Sequence, residues 1–388
     1  MRWIGLILAL TACSTTNATS PTDAGSSYDP HPQTPAWLSD AHVFTQGHDK
    51  EDITDCRTKI CRHNENVDTT IFGGATYMVH RTARSQVLGD NSSIHVFEAT
   101  DGVTFKDIKT LPAMTGRDLR DPSLFVIGDT LFMKAITRLP VDSARDSNVD
   151  SISVITTTKN GVDWTPFENA APATWSFWRV KANKGVQYSA AYEDGDKSVS
   201  LFSSTDGHAW TKGAQIYGVA ADTPLETELV FMPSDRLLAL VRMDGTDAEL
   251  LGYSGRLRTK VCWSMPPYTT WDCPQELTGQ RLDGPVAITW QNRLFVVARK
   301  HIQDGTGRKR TSLFEITGTL EGGPIDIKEW GELPSAEDTS YAGIAMIDAN
   351  RAVVHWYSGD VLLDKDWVVG LFDLTDIWQG TIDFSKVK

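Results

Sequence analysis

Tyr341, in the run Thr-Ser-Tyr-Ala-Gly, and Glu226, in Leu-Glu-Thr-Glu, form the pair of residue types that most directly suggests chemistry. A phenol ordinarily ionises near pH 10 and is a poor nucleophile until a carboxylate takes its proton. Five arginines could serve an acidic substrate: Arg81, Arg120, Arg179, Arg242 and Arg299. Each offers a planar fork of donors that fits a carboxylate in bidentate fashion. An uncharged nucleophile suits such a substrate, because a carboxylate nucleophile would repel it. A third acid must protonate the departing oxygen, and Asp121 in Arg-Asp-Pro or Asp68 in Val-Asp-Thr could do so with a pKa raised by its neighbours.

These residues lie far apart in the chain, so only an architecture that folds distant segments onto one point could use them. Such an architecture is written in the turns. Ser204-Thr-Asp206-Gly-His-Ala-Trp210 is a compact corner in which Asp accepts backbone N–H bonds, Gly supplies a positive φ and Trp packs beneath. Ala99-Thr-Asp101-Gly-Val-Thr-Phe105 and Thr158-Lys-Asn160-Gly-Val-Asp-Trp164 repeat it, and Ser264-Met-Pro-Pro-Tyr-Thr-Thr-Trp271 is a looser copy. A module recurs around these corners at intervals of about fifty residues, the size of a four-stranded propeller blade. Its apolar strands begin at polar positions: Asp68, Arg120-Asp121, Trp178-Arg179, Glu226, Pro285 and Tyr341. Second strands end near Arg81, Lys134, Arg242 and Arg299. Six modules without an amphipathic helical period predict an all-β, six-bladed β-propeller over residues 41–388, whose first strands line a channel and open on one face. A single strand-end charge is ordinarily solvated. A set of them at equivalent blade positions implies a shared site.

The net charge of −13 argues against a nucleic-acid partner, while a local arginine cluster can still receive an anion. Met1-Arg2 and the apolar run to Leu10, ending in Leu-Thr-Ala-Cys13, resemble a bacterial lipoprotein signal over residues 1–12, with Cys13 the lipidated N-terminus. Ser14 resembles the outer-membrane sorting type, so an exported outer-membrane lipoprotein, periplasmic or surface-exposed, is expected. Residues 13–40 read as a flexible tether and the lipid as the sole membrane contact. Of three possible pairings among the remaining cysteines, the local one is expected in an oxidising compartment: Cys56–Cys61 and Cys262–Cys273. Neither spacing carries histidine partners for zinc. No metal and no cofactor is expected, and the protein is read as a monomer.

Through these turns and through Glu226, Arg242, Arg299 and Tyr341, the chain resembles the sialidase superfamily and its Asp-box repeats. The run R-D-P-S-L, L-E-T-E, S-M-P-P-Y-T-T-W, D-G-P and D-T-S-Y-A-G is closer still to exported bacterial sialidase-like proteins of unassigned substrate. The resemblance spans residue 64 to the C-terminus. It implies a glycoside hydrolase of retaining mechanism acting on an acidic sugar, with Tyr341 the nucleophile, Glu226 its base, and Arg242 and Arg299 binding a carboxylate. It also marks departures. Where the family opens its first blade with Arg-Ile-Pro, this chain has Val67-Asp68-Thr69, with Arg120 one blade later and Arg81 nearby as substitutes. Where the family places its acid/base Asp, this chain offers Asp90 in a polar loop. The same residues suit a polysaccharide lyase, with Tyr341 or His80 as base, or a carbohydrate-binding propeller without catalysis.

Overall fold

A computed structural model describes residues 34–47, 55–87, 89, 91–139, 151–193, 197–245 and 257–388. The segment read as a signal, Cys13, most of the segment read as a tether and Asp90 lie outside these residues. The described chain forms 24 strands in six four-stranded antiparallel sheets. Strand β1 (Leu38–Thr45) comes first, beginning in the last residues read as tether, and is used last. Blade one comprises β2 (His63–Phe72), β3 (Ala75–Ala83), β4 (Ser93–Ala99) and β5 (Lys106–Pro112). Blade two follows with β6 (Asp118–Ile127), β7 (Thr130–Arg138), β8 (Ile152–Thr158) and the two-residue β9 (Glu168–Asn169). Blade three is β10 (Trp175–Asn183), β11 (Val186–Glu193), β12 (Ser198–Ser204) and β13 (Thr211–Tyr217). Blade four is β14 (Pro224–Phe231), β15 (Leu237–Met243), β16 (Arg258–Ser264) and β17 (Asp272–Thr278). Blade five is β18 (Asp283–Trp290), β19 (Arg293–His301), β20 (Lys309–Gly318) and β21 (Ile325–Leu333). Blade six is β22 (Thr339–Met346), β23 (Arg351–Ser358) and β24 (Asp376–Asp383), completed on its outer edge by β1. The six-bladed propeller expected from the repeat is the architecture observed.

Because β1 pairs with β24, the N-terminal and C-terminal parts of the chain share one sheet and the ring closes on itself. The boundary drawn at residue 41 therefore shifts back to Leu38. No turn motif joins β1 to its distant partner, so the pairing has no local sign in the chain.

Each blade is buried on both faces, which is why its middle strands are apolar runs rather than alternating ones. All nine residues of β3 and all seven of β15 are buried. Six apolar clusters fill the six seams between neighbouring blades. The seam between blades five and six holds fifteen buried apolar residues, against five between blades six and one. The latter fills the difference with imidazoles: His80 stacks on His95 and Phe97, and Phe105 meets His355 edge-on.

The repeated corners behave as their residue types require. Asp101, Asn160 and Asp206 each accept two backbone N–H bonds across β4–β5, β8–β9 and β12–β13. Trp164 and Trp210 donate their indole N–H to the carbonyls of Gly161 and Gly207, both at 2.8 Å. Cys56 is bonded to Cys61, just before β2, and Cys262 to Cys273, across β16 and β17.

Candidate active site

Every inner strand is irregular near its leading end. The pairing to the second strand slips between Glu65 and Val67 in β2, Arg120 and Ser123 in β6, Phe177 and Val180 in β10, Pro224 and Thr227 in β14, Asp283 and Val286 in β18, and Ser340 and Gly343 in β22. A bulge re-aims the side chains of the residues it inserts. The residues so presented include Asn66, Asp121, Trp178-Arg179, Glu226, Gly284 and Tyr341. Asn66, Asp121 and Tyr341 are held at positive φ (56°, 48° and 44°), a region side chains rarely occupy. Such strain persists only where the surroundings over-determine it, and it clusters at functional positions.

Tyr341 donates its hydroxyl to Glu226 Oε1 at 2.5 Å. Arg242 donates through one nitrogen to both members, 2.7 Å to Glu226 Oε2 and 2.9 Å to the Tyr341 hydroxyl. The backbone N–H of Gly284 gives Glu226 Oε2 another bond at 2.8 Å. Gly284 is needed for a second reason: a Cβ there would lie 2.7 Å from the Tyr341 ring. The phenol also packs edge-on against Trp178 (5.8 Å) and beneath the Arg299 guanidinium (5.0 Å to the ring centre). Burial, reinforced by the Glu226 charge, holds its pKa well above the ordinary 10, so the resting phenol is protonated. The arrangement can pass the phenolic proton to Glu226 when an electrophile approaches.

Arg242 is fixed from behind. Its other nitrogens reach Asp244 at 2.6 and 3.2 Å, and Asp283 lies 3.4 Å away. Asp283 is itself held by Arg281 (2.6 Å) and His301 (2.8 Å). Sequence reasoning missed this second layer. Asp283 stands in the Asp-Gly-Pro motif and Asp244 two residues beyond Arg242, but nothing local pairs them with Arg242.

Asp121, like Tyr341, is partly exposed at the leading end of its strand. Burial raises its carboxyl to about 6, with Glu226 and Glu65 adding to the rise and Arg120 and Lys134 opposing it. Lys134 stands beside it, donating to the carbonyls of Asp121 (2.9 Å) and Phe177 (2.6 Å), and burial lowers its own pKa to about 8.

The remaining expected residues are brought close but are committed to one another. Asp68 accepts from Thr69 N–H (2.9 Å) and Arg179 (2.5 Å) on one oxygen and from Leu124 N–H (2.7 Å) on the other. Arg179 continues to the carbonyls of Val67 and Ala342. Its neighbour Trp178 donates to the Pro285 carbonyl at 3.2 Å. The Trp178-Arg179 dipeptide of blade three thus reaches blades one, five and six and crosses the channel. Arg81 is fully buried, forked onto Asp118 at 2.9 Å and bonded to Glu65. Arg120 binds Glu65 at 3.1 Å and the Gln86 carbonyl at 2.8 Å. Arg299 holds Asp338, the Tyr357 hydroxyl and the Thr339 carbonyl, each at 2.8 Å. His80 is not part of this site: it is sealed in the seam between blades six and one, where burial and then His95 lower its pKa to about 3.

No protein-family model and no curated protein matches the sequence. Solved structures do match. A protein of unknown function from Dyadobacter fermentans superposes with a TM-score of 0.64 at 12% identity, covering 88% of this chain and 99% of that one. The NanB sialidase of Streptococcus pneumoniae gives 0.63 at 12%, covering 89% and 71%. The Trypanosoma rangeli sialidase in complex with sialic acid gives 0.63 at 12%, covering 90% of this chain and 59% of its own, so this chain spans about three-fifths of that enzyme. At such identity the likeness is one of fold. The chain has the six-bladed propeller scaffold that these sialidases use.

Proposed function

We propose that the protein is a retaining glycoside hydrolase acting on an acidic sugar, with Tyr341 as nucleophile and Glu226 as the base that activates it. The observation that carries this reading is the 2.5 Å hydrogen bond from the phenol to Glu226, with Arg242 bonded to both, among bulged strand ends of a propeller whose fold sialidases share. Asp121 is assigned as the acid: it is part exposed, its carboxyl is raised to about 6, and a group titrating there can donate a proton near neutrality. Asp68 is assigned instead to anchoring Arg179, since both its oxygens are occupied. Arg242 and Arg299 flank the phenol and are assigned to supply the positive charge that attracts the sugar carboxylate, while Arg81, Arg120 and Arg179 hold the frame around it. Cys13 and the tether would place the propeller at the outer membrane of a bacterial cell.

The chemistry divides into two steps. The phenolic oxygen attacks the anomeric carbon as its proton passes to Glu226, and Asp121 protonates the departing oxygen. Water, deprotonated by Asp121, then breaks the tyrosyl–sugar bond, and Glu226 returns the proton to Tyr341. Incubation with a panel of acidic glycosides, read by mass, identifies the substrate, and a fluorosugar made from it should label Tyr341. Tyr341→Phe removes only a hydroxyl, so it should fold, escape labelling and lose at least about 10³ in kcat/KM, the scale at which catalytic-unit residues act. Undiminished turnover by Tyr341→Phe would refute the mechanism. Binding of an acidic glycan without any product would favour a carbohydrate-binding propeller. An unsaturated product absorbing in the ultraviolet would favour a lyase.

A further inference from the structure

Three buried ligand atoms converge where the ring of blades closes, and none has a hydrogen-bond partner. His63 opens β2, and Glu65 lies two residues on, so both project from the same side of that strand. Asp338 immediately precedes β22 of the adjoining blade. All three side chains are at most 1% exposed. His63 Nε2 lies 3.5 Å from Glu65 Oε2 and 3.7 Å from Asp338 Oδ2, and the three atoms fall within 4.8 Å of one another. Each is unpaired.

The far end of each group is fully engaged. His63 Nδ1 lies 3.0 Å from the Asp373 carbonyl, which can only accept, so that nitrogen carries a proton and Nε2 is the ring atom that faces the two carboxylates. Glu65 Oε1 is taken by Arg81 and Arg120. Asp338 Oδ1 is taken by Arg299 (2.8 Å), Trp367 (2.8 Å) and Tyr357 (3.0 Å). Three lone pairs aimed at one buried point repel unless something positive sits between them. An imidazolium would draw the carboxylates in to about 2.7–2.9 Å, the length of a charge-assisted bond, and the separations here are longer. One water has two protons for three acceptors. Ligands about 2.0–2.2 Å from a tetrahedral ion stand about 3.4 Å apart, close to the two separations found from His63 Nε2.

We infer that His63, Glu65 and Asp338 form a divalent transition-metal site of the zinc type, clasping blade one to blade six. Sequence spacing conceals it, because one ligand comes from the far end of the chain. An imidazole nitrogen with two carboxylate oxygens suits zinc. Calcium takes about six to eight oxygen ligands and magnesium about six, so a set of one imidazole nitrogen and two carboxylate oxygens suits neither as well. The outward bonds of the imidazole and carboxylates are the outer contacts that orient metal ligands. The clasp shares no ligand with the Tyr341–Glu226 pair and fixes Glu65 and Asp338, and through them Arg120 and Arg299, which lies over the Tyr341 ring.

The test uses the full chain purified from zinc-supplemented cells, with metal measured by mass spectrometry. About one zinc per chain is expected. Refolding in chelator should lower the melting temperature by several degrees, and zinc should restore it. His63→Gln and Asp338→Asn should each lose the metal. A metal-free protein whose melting is the same in zinc and in chelator overturns the inference, as does zinc retained by both variants. If either variant fails to fold, the wild-type metal content and His63 proton occupancy by NMR decide: a protonated Nε2 in the zinc-treated protein overturns the site.

Discussion

The aliphatic seams and most of the ionic ring at the leading ends of the inner strands are buried, and they are held together by opposite physics. Phe295, in the seam between blades five and six, and Arg81, in the ring, are both fully buried. Phe295 meets Phe384 at 4.8 Å and a surround of valines and leucines that ask only for volume and dryness. Arg81 meets Glu65 and a forked Asp118, and would be destabilising without them. A seam is tolerant of which apolar residue fills it. The ring depends on each charge finding its partner at about 3 Å. In β6, β14 and β18 one strand serves both: Arg120-Asp121, Glu226 and Asp283 stand at the bulge, and Leu124-Phe125-Val126, Leu229-Val230-Phe231 and Val286-Ala287-Ile288 follow it. Stability and chemistry are thereby separated along the same strand, and that separation can be tested.

The largest stability loss should come from the seam. Phe295→Ala should cost about 3–5 kcal/mol, the range for deleting a large buried aromatic side chain. Denaturant unfolding would measure it, and kcat per folded molecule should stay unchanged. A lost turnover at full folding would show that the seam and the ring are not independent. An intermediate effect is expected from Gly284→Ala, which brings a Cβ to 2.7 Å from the Tyr341 ring at a φ of 58°. The positive φ alone costs roughly 1 kcal/mol for a residue with a side chain. Displacement of the phenol should add a loss of kcat without a matching rise in KM, a split that a purely structural role would not give.

How much of this was legible in the chain follows the same division. The blades were readable because apolar runs and Asp-Gly corners repeat locally, and each leading residue named from the repeat falls on the inner strand of a blade. Tyr341 and Glu226 were readable as types at equivalent positions, and the structure places them in hydrogen-bond contact. The partners of the arginines were not readable. Glu65, Asp118, Asp283 and Asp338 are ordinary acids in sequence and become specific only when neighbouring blades meet. The span of Trp178-Arg179 across the channel likewise joins segments more than one blade apart. Strand β1 was missed for that reason too: its hydrogen-bond partner lies at the opposite end of the chain.

The smallest effect on stability should also have the reverse sign. Asp121 sits on a bulge at a φ of 48°, and burial raises its carboxyl from the ordinary 3.8 to about 6. A carboxyl whose folded pKa is raised contributes stability that is fully present below pH about 3.8. That contribution is lost as pH rises through about 6, because folding must then desolvate a charge. At pH 7.5 Asp121→Asn should therefore stabilise the protein. The full difference would correspond to about 3 kcal/mol, and the partial exposure of the side chain reduces it to roughly 1 kcal/mol. Below pH 4 the gain should vanish. If Asp121 protonates the leaving group, kcat/KM of the wild type should fall above pH about 6, and Asp121→Asn should lose both that limb and most of its turnover on substrates with poor leaving groups. Substrates with good leaving groups need no proton and should lose less in the first step. A variant that is stabilised yet keeps the alkaline limb would leave Asp121 as strain without function and move the acid elsewhere in the ring.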